Sequence, residues 1–392
     1  MPVRIAVGLS DEFDAVEAFS DAARQARRGL GAPCDLCFVF AGAPHLGRGK
    51  WILSAVHDEL EPDCLIGCGA GGVVGAGREI EEGPGAVVWA ASLPEATLST
   101  HELEVERVED GAELHGLPDP DALGEALVVL ADPYTFPTEA LLAHLNEVRP
   151  GMPVLGGLAS AAAAGSASLF RDGDVVDGGA VACSLAGVEV LTCVSQGAAP
   201  VGPEMTVTAA EGNVIEELAS QPAIERLREA IASLDPREQE LASGGLLLGI
   251  VIDENQPEYE RGDFLVRPIV GADPSAGTIA AGERVRVGQT VRMHVRDGAS
   301  ADEDLRAALR SQVAALGASG AAGALLFTCN GRGSHMFQVP DHDAAAIDDA
   351  LGIPAGGFFC AGEIGPVGGR NFLHGFTATM AVFPRAGRRP TN

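Results

Sequence analysis

One pattern constrains this chain more than any other. Three times over, an apolar strand, a helix, a glycine-broken strand and a closing apolar strand follow one another. The first copy runs through CDLCFVFAG (34–42), GRGKWILSAVHDEL (47–60), CLIGCGAGG (64–72) and GAVVWAASL (85–93). The second runs through ALVVLADP (126–133), PTEALLAHLNEVRP (137–150), VLGGLASAAAAG (154–165) and GAVACSLAG (179–187). The third is looser: ALLFTCNGRG (324–333), DAAAIDDALG (343–352), GGFFCAGEIGPVGG (356–369) and FTATMAVF (376–383). In each copy about thirty residues separate the first two strands, the span of a βαβ unit. Short strands that are apolar on both faces belong in a sheet covered by helices. The helical crossover makes the first two strands parallel, and a glycine-rich turn returns the third antiparallel. The expected fold class is α/β with α+β character: mixed sheets built from three repeated β-α-β-β units with flanking helices, in two halves.

Between the second and third copies the pattern changes. MTVTAAEGNVIEELASQPAIERLREAIASL (205–234) begins as a strand and reads on as two helices split at Pro222. GLLLGIVID (245–253) reads as a buried strand, and FLVRPIVGAD (264–273), GTIAAG (277–282) and QTVRMHVRD (289–297) as a meander. DEDLRAALRSQVAALG (302–317) has an acidic first turn and a glycine stop, the marks of a helix. A boundary near GAAPVGP (197–203) divides the chain into an N-terminal domain, 1–200, with two repeats, and a C-terminal domain, 201–392, with the third repeat and the meander.

The run IGCGAGGVVG (66–75) contains G-x-G-x-x-G at Gly67, Gly69 and Gly72. A dinucleotide site needs a long helix next. Here Gly75, Gly77, Gly83, Pro84 and Gly85 follow, and no helix survives them. Close packing is the better reading of these glycines, and no cofactor is expected.

Charge excludes several partners. The 26 Lys+Arg against 55 Asp+Glu give a net charge of −29. Such a surface repels phosphate backbones and anionic membranes, so neither nucleic acid nor membrane is expected. The uncharged runs 150–170 and 311–331 are interrupted by Gly and Ser and are poor membrane spans. The N-terminus turns acidic too early for a secretory signal. Eight cysteines, mostly in apolar stretches, suit a reducing cytoplasmic compartment. No metal is expected. Cys34 and Cys37 would face opposite sides of a strand, and Cys64 and Cys68 lack a second ligand pair. His335 and His342, flanking a loop, stay open as ligands. Neither a nucleophile elbow nor a phosphate-binding loop occurs.

The third copy carries the most chemistry. Ligands in such sheets bind beyond the carboxyl ends of parallel strands. CNGRGSH (329–335) and AGEIGP (361–366) both leave strands there. Cys329, Asn330, Arg332 and Glu363 should therefore converge on one rim and frame a hollow open to solvent. Arg332, between Gly331 and Gly333, can grip a carboxylate with two parallel hydrogen bonds. Glu363 follows an apolar strand, needs a partner, and suits a ligand ammonium. Gly331, Gly333 and Gly362 supply backbone amides or clearance. Alternatively, Arg332 and Glu363 pair with each other and only lock the fold. Cys329 has Arg332 and His335 nearby, which makes an enzyme with a thiol nucleophile a second reading. No spacing fixes a general base, so no catalytic residue is assigned. His374 reads as a core histidine. The acidic segment HELEVERVE (101–109) reads as an edge strand guarded by charge. A third reading is an adaptor that presents a protein-binding surface.

GNVIEELASQPAIERL, DFLVRPIVGADPSAGTIAAGERVRVGQTVRM, FTCNGRG and GFFCAGEIGPVGGRNFLHGFTATMAVF together resemble the FIST family (F-box and intracellular signal transduction domain). DLCFVF, LIGCGAGG, VVWAASL and PVLGGLASA resemble that family's N-terminal domain. The resemblance implies a sensory module for a small ligand, with amino acids suggested, acting with a protein partner in signal transduction.

Overall fold

The computed structural model describes residues 2–108, 111–160 and 167–385. Two compact units emerge: Met1–Val194 together with Leu305–Asn392, and Ser195–Asp304. All three repeats lie in the first unit.

Each repeat has the same three-stranded centre. Val39 pairs with Gly67 on the parallel side and Val88 on the antiparallel side. Val129 does so with Gly156 and Ala182, and Leu326 with Gly357 and Met380. A lead strand (Arg4–Ser10, Thr97–Val108 or Leu191–Gln196) adds to each closing strand.

Every repeat also contains a hairpin between its second and closing strands. The three are Val73–Gly75 with Arg78–Ile80, Ser168–Arg171 with Asp174–Asp177, and Glu363–Val367 with Arg370–His374. None of the three pairs with its own repeat's second strand. The first pairs with the third repeat (Val74 with Gly357), the second with the first (Phe170 with Gly67), and the third with the second (Ile364 with Gly156). The exchange is cyclic, so the three sheets are stitched into a ring.

Phe38, Phe40 and Trp89 of the first sheet, Val128 and Leu130 of the second, and Phe327, Phe358 and Phe383 of the third share one apolar cluster. Phe40 stacks on Phe358 at 4.9 Å, and Trp89 Nε1 donates to the Ala324 carbonyl at 3.0 Å. Each such side chain contributes about 1.5–3 kcal/mol through burial. Helices cover the outer faces: Ala15–Leu30 and Gly49–Leu60, then Thr138–Val148, then His342–Leu351 with the C-terminal part of Gly298–Leu316.

The glycine break has a packing cause that repeats. A Cβ on Gly67, Gly156 or Gly357 would lie 2.1, 1.9 or 1.7 Å from the carbonyl oxygen of Val39, Val129 or Leu326. No side chain fits there, because the second strand presses against its parallel neighbour.

The second unit is a closed antiparallel barrel. Ala198–Glu211, Thr290–Arg296, Leu246–Val251, Phe264–Asp273, Thr278–Ala281 and Val214–Leu218 pair in that order. Val214–Leu218 then pairs back onto Ala198–Glu211. Met205, Ile215, Leu248, Ile250 and Val291 share its core. Here the expected helix before Pro222 is a strand. VIEEL is paired on two sides and buries Ile215 and Leu218, and such tertiary pairing overrides the helical propensity of its Glu and Leu. Only Ala223–Ser233, after Pro222, is helical.

The acidic strand Thr97–Val108 is not an edge: it lies between Ala180–Ala186 and Gly111–His115, and the latter takes the edge. Residue 109, and residues 161–165 of the second glycine-broken segment, lie outside the described residues. Among the described residues no helix is long and apolar enough to cross a membrane.

Candidate functional site

The second strands of the three repeats end at one junction, where their glycine-rich segments bind one another. Ser160 N donates to the Gly69 carbonyl, and Phe359 N donates to that of Gly72. Ser160 Oγ accepts from Gly71 N at 2.8 Å and donates to the Phe359 carbonyl. Leu158 N donates to the Gly362 carbonyl at 2.8 Å, and Ala361 N to that of Leu158 at 3.0 Å. Gly362 leaves room for this: a Cβ there would press on Leu158 and Leu373 at 3.1 Å. Asn330 joins from the third repeat, its N–H donating to the Cys360 carbonyl at 2.9 Å. Asn330 and Ala361 are exposed and Gly331 is half-buried.

Cys329, Arg332 and Glu363 lie beneath. Cys329 ends the strand Ala321–Cys329, and Glu363 begins the hairpin strand Glu363–Val367. Arg332 is 1% exposed and Glu363 0%. The expected hollow open to solvent is therefore not what surrounds these charges. The chain after Gly333 folds back over Arg332: the Phe337 ring lies 5.1 Å from the guanidinium and stacks on His342 at 3.4 Å.

Arg332 does use its fork, but on the protein itself. Nε and Nη2 each donate to the Asp343 carboxylate at 2.8 Å. Thr328 Oγ1 donates to the same carboxylate at 2.8 Å, and His342 Nδ1 lies 2.9 Å from it. Burial opposes ionisation of Asp343, yet Arg332 and these hydrogen bonds hold its carboxyl well below the usual range. The sequence carried no signal for Asp343, which reads there as an ordinary first-turn acid of a helix. Arg332 Nη1 is left over, buried and with no hydrogen-bond partner among the described residues.

Glu363 does not take Arg332 as its hydrogen-bond partner either. Its Oε2 accepts from Thr377 N at 3.0 Å and from Thr377 Oγ1 at 2.8 Å. Its Oε1 is buried with no hydrogen-bond partner among the described residues, although the Cys329 thiol hydrogen-bonds the carboxyl group. Burial pushes this carboxyl up to about 8, against the pull of the hydrogen bonds from Thr377 and Cys329 and of Arg332. Burial and the Glu363 charge push the Cys329 thiol up to about 12. A thiol so strongly protonated at neutral pH is a poor nucleophile.

The first repeat's hairpin braces the segment that follows Arg332. Ser334 N and Oγ donate to the Glu81 carboxylate at 2.7 and 2.9 Å. Glu79 N donates to Asp341 Oδ1 at 2.6 Å, and Glu79 Oε1 accepts from Ala344 N at 3.0 Å. Burial and the Asp343 charge push Glu79 up to about 7. Gly333, at φ 84°, is required here, since a Cβ would lie 2.7 Å from the Glu81 carboxylate.

Among the described residues no group of three or more His, Cys, Asp and Glu could hold a metal ion. Cys34 and Cys37 do not face apart as expected. Both pack into one apolar cluster, because the strand begins only at Leu36 and its alternation does not reach Cys34; each thiol donates to a backbone carbonyl, of Leu36 and Phe38. His374 is buried, with Nε2 at 3.0 Å from the Gly365 carbonyl.

Comparison with known proteins agrees with the resemblance seen in the sequence. A model of the FIST N domain matches residues 35–221, and one of the FIST C domain matches residues 223–366. The uncharacterized protein Rv0628c of Mycobacterium tuberculosis (strain ATCC 25618 / H37Rv) is 46% identical over 385 residues, covering 97% of this chain and 100% of the relative. The uncharacterized protein Mb0898c of Mycobacterium bovis is 45% identical over 384 residues, covering 97% and 99%. FIST domains are generally held to be small-ligand-binding sensory domains in signalling. This chain belongs to the FIST family, a FIST N domain followed by a FIST C domain.

Proposed function

We propose that the chain is a sensory module for a small ligand bearing a carboxylate and an ammonium, an amino acid being the simplest case. Arg332 Nη1 donates to the ligand carboxylate, and Glu363 Oε1 accepts from its ammonium. Cys329 lines the site, Asn330 stands at its solvent edge, and Gly331, Gly333 and Gly362 keep the backbone close. On this reading the module works in the cytoplasm and passes its state to a protein partner; its eight free cysteines suit a reducing compartment.

One observation carries the reading. A buried donor and a buried acceptor, Arg332 Nη1 and Glu363 Oε1, stand without partners in one neighbourhood. Leaving such a group unsatisfied costs about 1–3 kcal/mol, and a zwitterion satisfies both at once.

Thermal unfolding provides the test, followed by tryptophan fluorescence. Both tryptophans, Trp51 and Trp89, lie in the repeat-bearing unit. The panel is the common amino acids, each with its matching monocarboxylate and monoamine. A ligand at a hundredfold its dissociation constant should stabilise by about 2.7 kcal/mol. The expected result is a response to an amino acid that exceeds both of its halves and is lost in Glu363→Gln. A flat panel would overturn the reading.

A further inference from the structure

Glu363 is a buried carboxyl without a cation of its own. Arg332 acts on it from a distance, its fork being taken by Asp343. The other groups that face it are poor substitutes. The strand Ala321–Cys329 offers the Cys329 thiol, and its parallel partner offers the Cys360 thiol. Across the hairpin stands His374, with Nε2 engaged by the Gly365 carbonyl. The closing strand offers Thr377, whose two donors both go to Oε2. Among the described residues the second repeat pairs Gly156 and Gly157 with this strand. A carboxylate in such surroundings is costly, and the group keeps its proton instead.

We infer that without ligand Glu363 is the neutral acid, and that an arriving ammonium replaces its proton. This rests on Glu363 being the ammonium subsite. The exchange balances. The ligand nitrogen keeps its hydrogens and donates one to Oε1, while the carboxyl proton leaves to solvent. One proton is released for each ligand bound. Binding therefore strengthens as pH rises, close to tenfold per pH unit while the acid form dominates. The module reports ligand and pH together. The upward displacement of this carboxyl by burial, to about 8, places the response around neutral pH.

The test uses the full chain labelled with carboxyl-13C glutamate, and methylammonium chloride as the probe. Methylammonium carries the ammonium and no carboxylate, so it addresses the Glu363 half alone. The Glu363 resonance is the one that disappears in Glu363→Gln. In sodium chloride its titration midpoint is expected near 8. In methylammonium chloride the midpoint should fall, while the other glutamates keep theirs. A midpoint in sodium chloride near the ordinary 4.5 would overturn the inference. So would a high midpoint that methylammonium leaves in place. The outcome is separable from that of the amino-acid panel. A methylammonium-sensitive midpoint with a flat panel sinks the amino-acid reading and keeps the proton exchange. An ordinary midpoint with a responsive panel does the reverse.

Discussion

In the first repeat the donated hairpin begins at Val73, and in the third at Glu363. Both residues are fully buried, and both follow a glycine-kinked strand at the same spacing from Gly67 and Gly357. Val73 packs into the shared core. Glu363 brings a carboxyl oxygen with no hydrogen-bond partner among the described residues. The opening strands differ in charge but not in hydrogen-bond satisfaction: His45 Nδ1, like Arg332 Nη1, is buried with no hydrogen-bond partner among the described residues. His45 follows Val39 at the spacing by which Arg332 follows Leu326, and its Nε2 lies 2.8 Å from the Pro84 carbonyl. The first repeat thus carries a valine and an imidazole at these two places, where the third carries a carboxyl and a guanidinium. On the proposed reading the charged pair of the third repeat serves the ligand, while Arg332 also holds the buried Asp343 carboxylate.

The largest expected effect separates the two arginine-level positions. Arg332→Ala strands Asp343 as an unpaired buried charge and should cost about 3–5 kcal/mol in urea unfolding. His45→Ala removes a smaller contact and should cost about 1–3 kcal/mol. Equal losses would break the comparison, since Arg332 would then be ordinary packing.

The next effect is on pH dependence. Glu363 has a folded value raised above its unfolded one, so its contribution is fully present below about 4.5 and is lost as pH rises through about 8. Glu363→Gln should abolish that decline, making the variant more stable than the parent at alkaline pH by a few kcal/mol. Asp343 acts with the opposite sign. Its contribution is present above its ordinary 3.8 and is lost as pH falls towards its depressed value. Stability curves of parent and variant that stay parallel from pH 5 to 9 would contradict the assignment to Glu363.

The smallest effect concerns the shared scaffold. Gly67→Ala and Gly357→Ala meet the same obstacle, a neighbouring carbonyl, and should each cost about 1–3 kcal/mol. A difference between them well above 1 kcal/mol would mean that the two kinks are not equivalent.

Much of this scaffold was legible because apolar strands, amphipathic helices and glycines alternate on a fixed plan. The parallel pair and the antiparallel return follow from that plan in all three repeats. The cyclic hairpin exchange does not. Its strands are only three to five residues long, and pairing between repeats leaves no local mark. The helix Ala15–Leu30 carries its own local signals: Asp14 caps its first turn, and Gly31, at φ 56°, ends it. VIEEL misled because its Glu and Leu favour a helix locally, while the barrel needs a strand there. At the site, the strand ends were readable and the fold does bring Cys329 and Arg332 towards Glu363, but buried rather than framing an open hollow. The partner of Arg332 was not readable. Asp343 lies on a later helix, and only the fold brings it to the guanidinium. Nor was the bracing by Glu79 and Glu81 readable, since they arrive on the first repeat's hairpin.

The most direct measurement is a crystal structure with the amino acid that gives the largest thermal response. Its carboxylate should lie within about 3.2 Å of Arg332 Nη1, and its ammonium equally close to Glu363 Oε1. An amino acid bound elsewhere, with those two atoms meeting only water, would contradict the claim that the third repeat's charges form the sensor.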